Sequence, residues 1–108
     1  MANFIALARD ALSKRGCSDV AAVLAAAAFD DAVRRLAACN DIAPQEDLSD
    51  TLRELKKRGV LNAGEIDIAE SCMSFLHNAI RGRWNEVGLG DTIATLAFAE
   101  EIIRNLAV

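Results

Sequence analysis

The sequence predicts an all-α fold: an up-down bundle of four to five helices, in one domain over residues 1–108. Three observations carry this. More than half of the 108 residues are hydrophobic, with a single proline and no tyrosine. Alanine and leucine dominate and runs of β-branched residues are few, which favours helix over strand. The stretch from Ser18 to Asn40, SDVAAVLAAAAFDDAVRRLAACN, is apolar around so much of its circumference that it belongs inside a bundle.

The first helix is expected to run from Asn3, a good cap, to Arg15, with Gly16 ending it. Phe4, Ile5, Leu7, Ala8, Ala11 and Leu12 make its buried side. The central helix follows after a sharp turn. Ser18 suits its N-cap, and Asn40 suits a left-handed residue at its end. Ala22, Ala26, Phe29, Val33 and Leu36 recur at helical spacing, and Val20, Leu24 and Ala27 widen the stripe. Alanines 25–28 let a neighbour approach at the short end of the usual range of about 8–10 Å.

The segment DIAPQED places Pro44 as a first-turn residue of a third helix, with acids where a helix N-terminus favours them. Leu48, Leu52 and Leu55 form the buried side of that helix, Gly59 closes it, and Val60 and Leu61 tuck beneath the bundle. Asn62 with Glu65 has the spacing of a capping box, opening a fourth helix that runs to about Ile80. Ile66, Ala69, Met73, Leu76 and Ile80 share one face of it, with Cys72, Phe75 and Ala79 alongside. After the irregular segment GRWNEVGLG, Asp91 is expected to cap a last helix carrying Ile93, Leu96, Ala97, Ile103 and Leu106. Short connections favour antiparallel neighbours.

Composition narrows the function classes. A net charge of −4 counts against a general nucleic-acid binder, which is usually basic, and leaves room for a local basic patch. The three cysteines are far apart and only one histidine is present. No metal site or cofactor is therefore expected, and reduced, buried thiols are. Arg9 and Asp10 interrupt the early apolar run, and the uncharged stretch from Val20 to Phe29 is too short to cross a bilayer. The expectation is a cytoplasmic protein without a membrane partner.

Most charges have a local explanation. Asp10 with Lys14, Asp30 with Arg34, Asp31 with Arg35, Glu54 with Arg58 and Glu100 with Arg104 are i,i+4 pairs with the acid on the favourable side. The denser run of Arg53, Lys56, Lys57 and Arg58 reads first as a solvated helix end and second as a phosphate contact. Arg81 and Arg83 lack an acid within the preceding turn and flank Gly82 beside the sole tryptophan, Trp84. Two cations and an exposed aromatic can grip a nucleotide by charge and stacking. The structural alternative seats Trp84 over the open end of the bundle, with the arginines capping carbonyls of the fourth helix.

Two segments carry a family resemblance: DVAAVLAAAAFDDAVRRLA, and LRELKKRGVLNAGEIDIAESCMSFLHNAIRGRWNEV. In this order they resemble the small prokaryotic HEPN-type helical domains, over nearly the whole chain after Ser18. Phe29 and Asp30 stand where leucine and glutamate are common in those domains. The resemblance implies a bundle that dimerises with an Arg-Asn…His motif near the two-fold axis, and in active members a metal-independent ribonuclease. That chemistry needs a base near a 2′-hydroxyl and a cation at the developing phosphorane charge.

This sequence departs from the motif. Setting Asn78 on the family's asparagine puts His77 where arginine is expected and Arg81 near the histidine position, with Gly82 on the glycine. Setting NEVGLG against forms that read RNEVGHG puts Trp84 at the arginine and Leu89 at the histidine. Either placement breaks the catalytic pair, although His77 and Arg81 still stand i,i+4 with Asn78 beside them. The resemblance thus implies a catalytically degenerate dimeric interaction or RNA-associated module, with Arg81, Arg83 and Trp84 as binding residues and a defence or toxin–antitoxin setting. One alternative is a ribonuclease using His77 and Arg81. The other, implied by the mannitol-repressor branch of the same superfamily, is a regulatory protein–protein module that never meets nucleic acid.

Overall fold

The computed structural model describes residues 3–14 and 16–106. Among these the chain forms five α-helices and no strand: α1 (Phe4–Leu12), α2 (Ser18–Cys39), α3 (Leu48–Lys57), α4 (Ala63–Ile80) and α5 (Leu89–Leu106), with a 3-10 turn at Trp84–Glu86. α2 touches all four other helices, as its apolar girth requires. Ala21, Ala22, Ala25, Ala26, Ala28, Phe29, Ala32 and Val33 are all buried along it. Small side chains on adjacent stripes leave room for several neighbours at once.

Chain direction follows from two contacts. Trp84, just beyond α4, shares the walls of one depression with Asp19, Val20, Val23 and Leu24 at the start of α2, so α4 runs back along α2 in the opposite sense. α5 sets out from that same end. Phe29 and Phe98, each mid-helix, meet with ring centroids 6.2 Å apart, and α2 and α5 therefore run side by side in one direction. Arg9 on α1 is paired with Glu100 on α5, which ties the first helix to the last.

Helix ends follow local chemistry, with corrections to the expected boundaries. Asn3 caps α1 by accepting from the Ala6 N–H. The helix stops at Leu12 with Ser13 as its C-cap, and the expected end, Arg15, lies outside the described residues. The N-cap of α2 is Cys17, without a side-chain bond, and Ser18 is already helical. At its other end Asn40 is not left-handed; Asp41 takes that role at φ +57°. The N–H groups of Asp41 and Ile42 donate to the carbonyls of Ala38 and Ala37, which is a Schellman closure.

Asp47 caps α3, accepting from the Ser49 N–H at 2.9 Å, so Pro44 lies in the preceding loop rather than in the first turn. Leu48, Leu52, Leu55 and Leu61 are buried, as the leucine spacing requires. Gly59, at φ +71°, ends α3 in a second Schellman closure. The capping box of α4 is complete: the Glu65 N–H donates to Asn62 Oδ1 and the Asn62 N–H to Glu65 Oε1. α5 begins at Leu89, two residues ahead of the expected cap at Asp91, because the Gly88 carbonyl already accepts from the Thr92 N–H and hydroxyl. Asp91 instead sits in the first turn, where its charge favours the helix dipole.

Several residues expected in the core lie outside it. Leu7, Val20, Ile80 and Ile93 are roughly half exposed or more, and Ala97 and Cys39 are exposed. On α5 the buried face is Thr92, Thr95, Leu96, Phe98, Ala99 and Ile102, rotated by about a quarter turn from the aliphatic-only expectation. Cys72 is buried as expected and Cys17 is half-buried.

Candidate interaction surface

The sequence-derived site residues stand on the last turn of α4 and the bend that follows. α4 ends because Gly82 takes φ +68°, a conformation that L side chains rarely adopt. The Gly82 and Arg83 N–H groups then donate to the carbonyls of Ala79 and Asn78, and the Arg81 N–H donates to that of His77. Both arginines thus meet carbonyls of α4 through their backbone amides. Both side chains are exposed, and neither has an ion-pair or hydrogen-bond partner among the described residues.

His77 and Arg81 share the end of α4 with Asn78 beside them, and His77 is exposed. No side chain among the described residues holds the imidazole, and no third group orients it. A general base must be held within about 3 Å of the proton it takes, usually by an orienting partner. This pair has no such support.

Trp84 stands just beyond α4, in the 3-10 turn. Its ring forms one wall of a shallow trough of about 320 Å³, completed by Asp19, Val20, Val23 and Leu24 at the start of α2. The walls are almost wholly apolar, yet Trp84 remains 40% exposed, Val20 52% and Val23 43%. Ile80, the last residue of α4, and Leu89 and Ile93 in the first turns of α5 are exposed as well. Single exposed apolar residues are ordinary, whereas a gathering of them marks a contact surface.

The charges at this end have mixed sign. Arg83 and Glu86 border one depression, Asp19 borders the trough beside Trp84 and Asp91 stands in the first turn of α5; none of these acids forms an ion pair among the described residues. The second basic group lies elsewhere. Arg53 and Lys56 border a groove with Ile66, Glu70 and Met73, nearer the start of α4, which puts them on the order of 20 Å along that helix from Arg81. Arg53 is also paired with Asp50, and Arg58 with Glu54, while Arg58 donates to the Asn40 carbonyl. Lys56 and Lys57 are all that is left of the run.

Val20, Val23 and Asp19 are the surface residues that sequence reasoning missed. Periodicity assigned Val20 to the buried stripe, and in a helix apolar all round it gives no signal for which valine faces out. Among the described residues no three His, Cys, Asp or Glu side chains gather to hold a metal. Among the described residues no helix is long and apolar enough to cross a membrane. No protein-family model, curated protein or solved structure matches the chain.

Proposed function

We propose that the chain is a catalytically degenerate, HEPN-like interaction module that works through the end of the bundle where α2 starts and α4 gives way to α5. One observation carries the reading: the exposed Val20 and Val23 share the walls of one apolar trough with the exposed Trp84 at that end. Tryptophan and arginine are the residue types most often found at the energetic centre of protein interfaces. The distance between Arg81 and the Arg53–Lys56 group favours a protein partner, because a polyanion is best held by a continuous basic track.

A second reading, RNA association, draws on Arg81 and Arg83, whose side chains have no carboxylate partner beside an exposed indole. Incubation with structured RNA, followed by assay for 2′,3′-cyclic phosphate ends, tests both readings against catalysis. Intact RNA and no mobility shift with a single-stranded oligonucleotide at physiological salt are the expected results. Cleavage that His77→Ala abolishes would overturn the proposal in favour of a ribonuclease using His77 and Arg81. A salt-sensitive shift lost in Arg81→Ala and Arg83→Ala would establish the RNA-associated form.

A further inference from the structure

Two charges in the groove between α3 and α4 have no use within the fold. Leu52 and Lys56 stand one turn apart on α3, and Ile66, Glu70 and Met73 follow one another along one face of α4. Together with Arg53 they line a groove of about 310 Å³, a size at which small molecules are bound. Leu52, Ile66 and Met73 are buried and give it an apolar floor. Lys56 belongs to the α3 wall and Glu70 to the α4 wall, and both are exposed. Arg53 pairs with Asp50. Lys56 and Glu70 have no ion-pair or hydrogen-bond partner among the described residues, one another included.

Charge and shape together select the occupant. A simple anion meets repulsion from Glu70, and a simple cation meets it from Lys56 and Arg53. None of the exposed large hydrophobics borders the groove, so a protein partner finds no apolar anchor there to bury. A small molecule that carries both signs and an apolar tail satisfies every wall at once. We infer that this groove binds a free amino acid with an aliphatic side chain. Its carboxylate accepts from the Lys56 ammonium, its own ammonium donates to the Glu70 carboxylate, and its side chain lies on the Leu52–Ile66–Met73 floor. Charge-assisted hydrogen bonds of opposite sense fix its orientation. The site goes beyond the interaction surface around Trp84, and neither depends on the other.

L-leucine is the probe, titrated into the full chain while backbone amide shifts are followed by NMR. The expected result is a saturable set of shifts gathered on the groove-lining stretches 49–56 and 66–73. Lys56→Gln and Glu70→Gln, both at exposed positions, keep the fold and each weaken leucine about fivefold, since water screens both groups. Two derivatives then assign the charges. N-acetyl-L-leucine has no ammonium, so it binds wild type more weakly than leucine and gains from Glu70→Gln. L-leucinamide has no carboxylate, so it too binds wild type more weakly and gains from Lys56→Gln.

Leucine that gives no saturable shift up to its solubility limit overturns the site, as do shifts that fall away from the groove. Leucine binding that both variants leave unchanged overturns it as well. N-acetyl-L-leucine bound as tightly as leucine removes the role of Glu70 and with it the amino acid. None of these outcomes bears on the Trp84 surface, whose own tests read RNA ends and mobility.

Discussion

Thr51 presents the plainest local anomaly in the molecule. It is 2% exposed on α3, and its hydroxyl has no hydrogen-bond partner among the described residues. The other two buried threonines are provided for: Thr92 donates to the Gly88 carbonyl, and Thr95 bonds to the Cys72 sulfur. Burial pushes the Cys72 thiol above its ordinary value, with the Thr95 bond acting the other way, so this cysteine stays a thiol in the core. An unmet buried hydroxyl costs about 1–3 kcal/mol. Thr51→Val keeps the branched shape and removes that cost, so its urea midpoint should rise, by about 1 kcal/mol of stability. Thr92 and Thr95 also explain why the α5 face was misplaced. A reading that counts only aliphatic residues cannot see a threonine whose hydroxyl is satisfied inside the fold, as that of Thr92 is by the preceding turn.

At the scale of the element, what was legible is what is local. All five anticipated i,i+4 pairs are formed, because helical geometry alone decides which side chains are neighbours. The Asn62–Glu65 box and the glycine stops at Gly59 and Gly82 were readable for the same reason. Boundaries failed where two residues within one turn competed for a role: Cys17 against Ser18, Asn40 against Asp41, Gly88 against Asp91. The Asp41 case is testable. An aspartate holding φ +57° pays a strain that glycine does not, so Asp41→Gly should stabilise by about 0.5–1 kcal/mol in chemical denaturation. Gly59→Ala, at φ +71° with open space around it, should destabilise by a similar amount, since only the backbone objects.

At the scale of the whole molecule, the sequence conveyed the class of fold and the centrality of α2, while contacts between distant segments stayed hidden. Arg9 and Glu100, 91 residues apart, are the clearest example. Hydrogen bonding from Arg9, with the nearby Arg9 and Arg104 charges and against slight desolvation, holds the Glu100 carboxyl below its usual value. A depressed carboxylate pKa stabilises the fold fully above the unfolded value, about 4.3, and that contribution disappears as pH falls through the folded one. The stability gap between wild type and Glu100→Gln should therefore be full at neutral pH and close as pH falls below the usual carboxylate range. It should also narrow at high salt, because the pair is solvent-exposed. Urea titrations across pH check both. The site was half legible on similar grounds: the bend bearing Arg81, Arg83 and Trp84 announces itself by composition, but Val20 and Val23 join it only once α4 has returned to the start of α2.

The alanine-lined middle of α2 has a consequence for how the protein comes apart. Every other helix leans on that one rod, and a methyl group offers little to hold a neighbour once the opposite side loosens. Peeling away α1, α3, α4 or α5 singly uncovers a strip too bare to stand alone in water. Opening events that reach the amides around Phe29 therefore have to be global, and hydrogen exchange there is tied to complete denaturation, while the bend at residues 81–88 exchanges on its own terms.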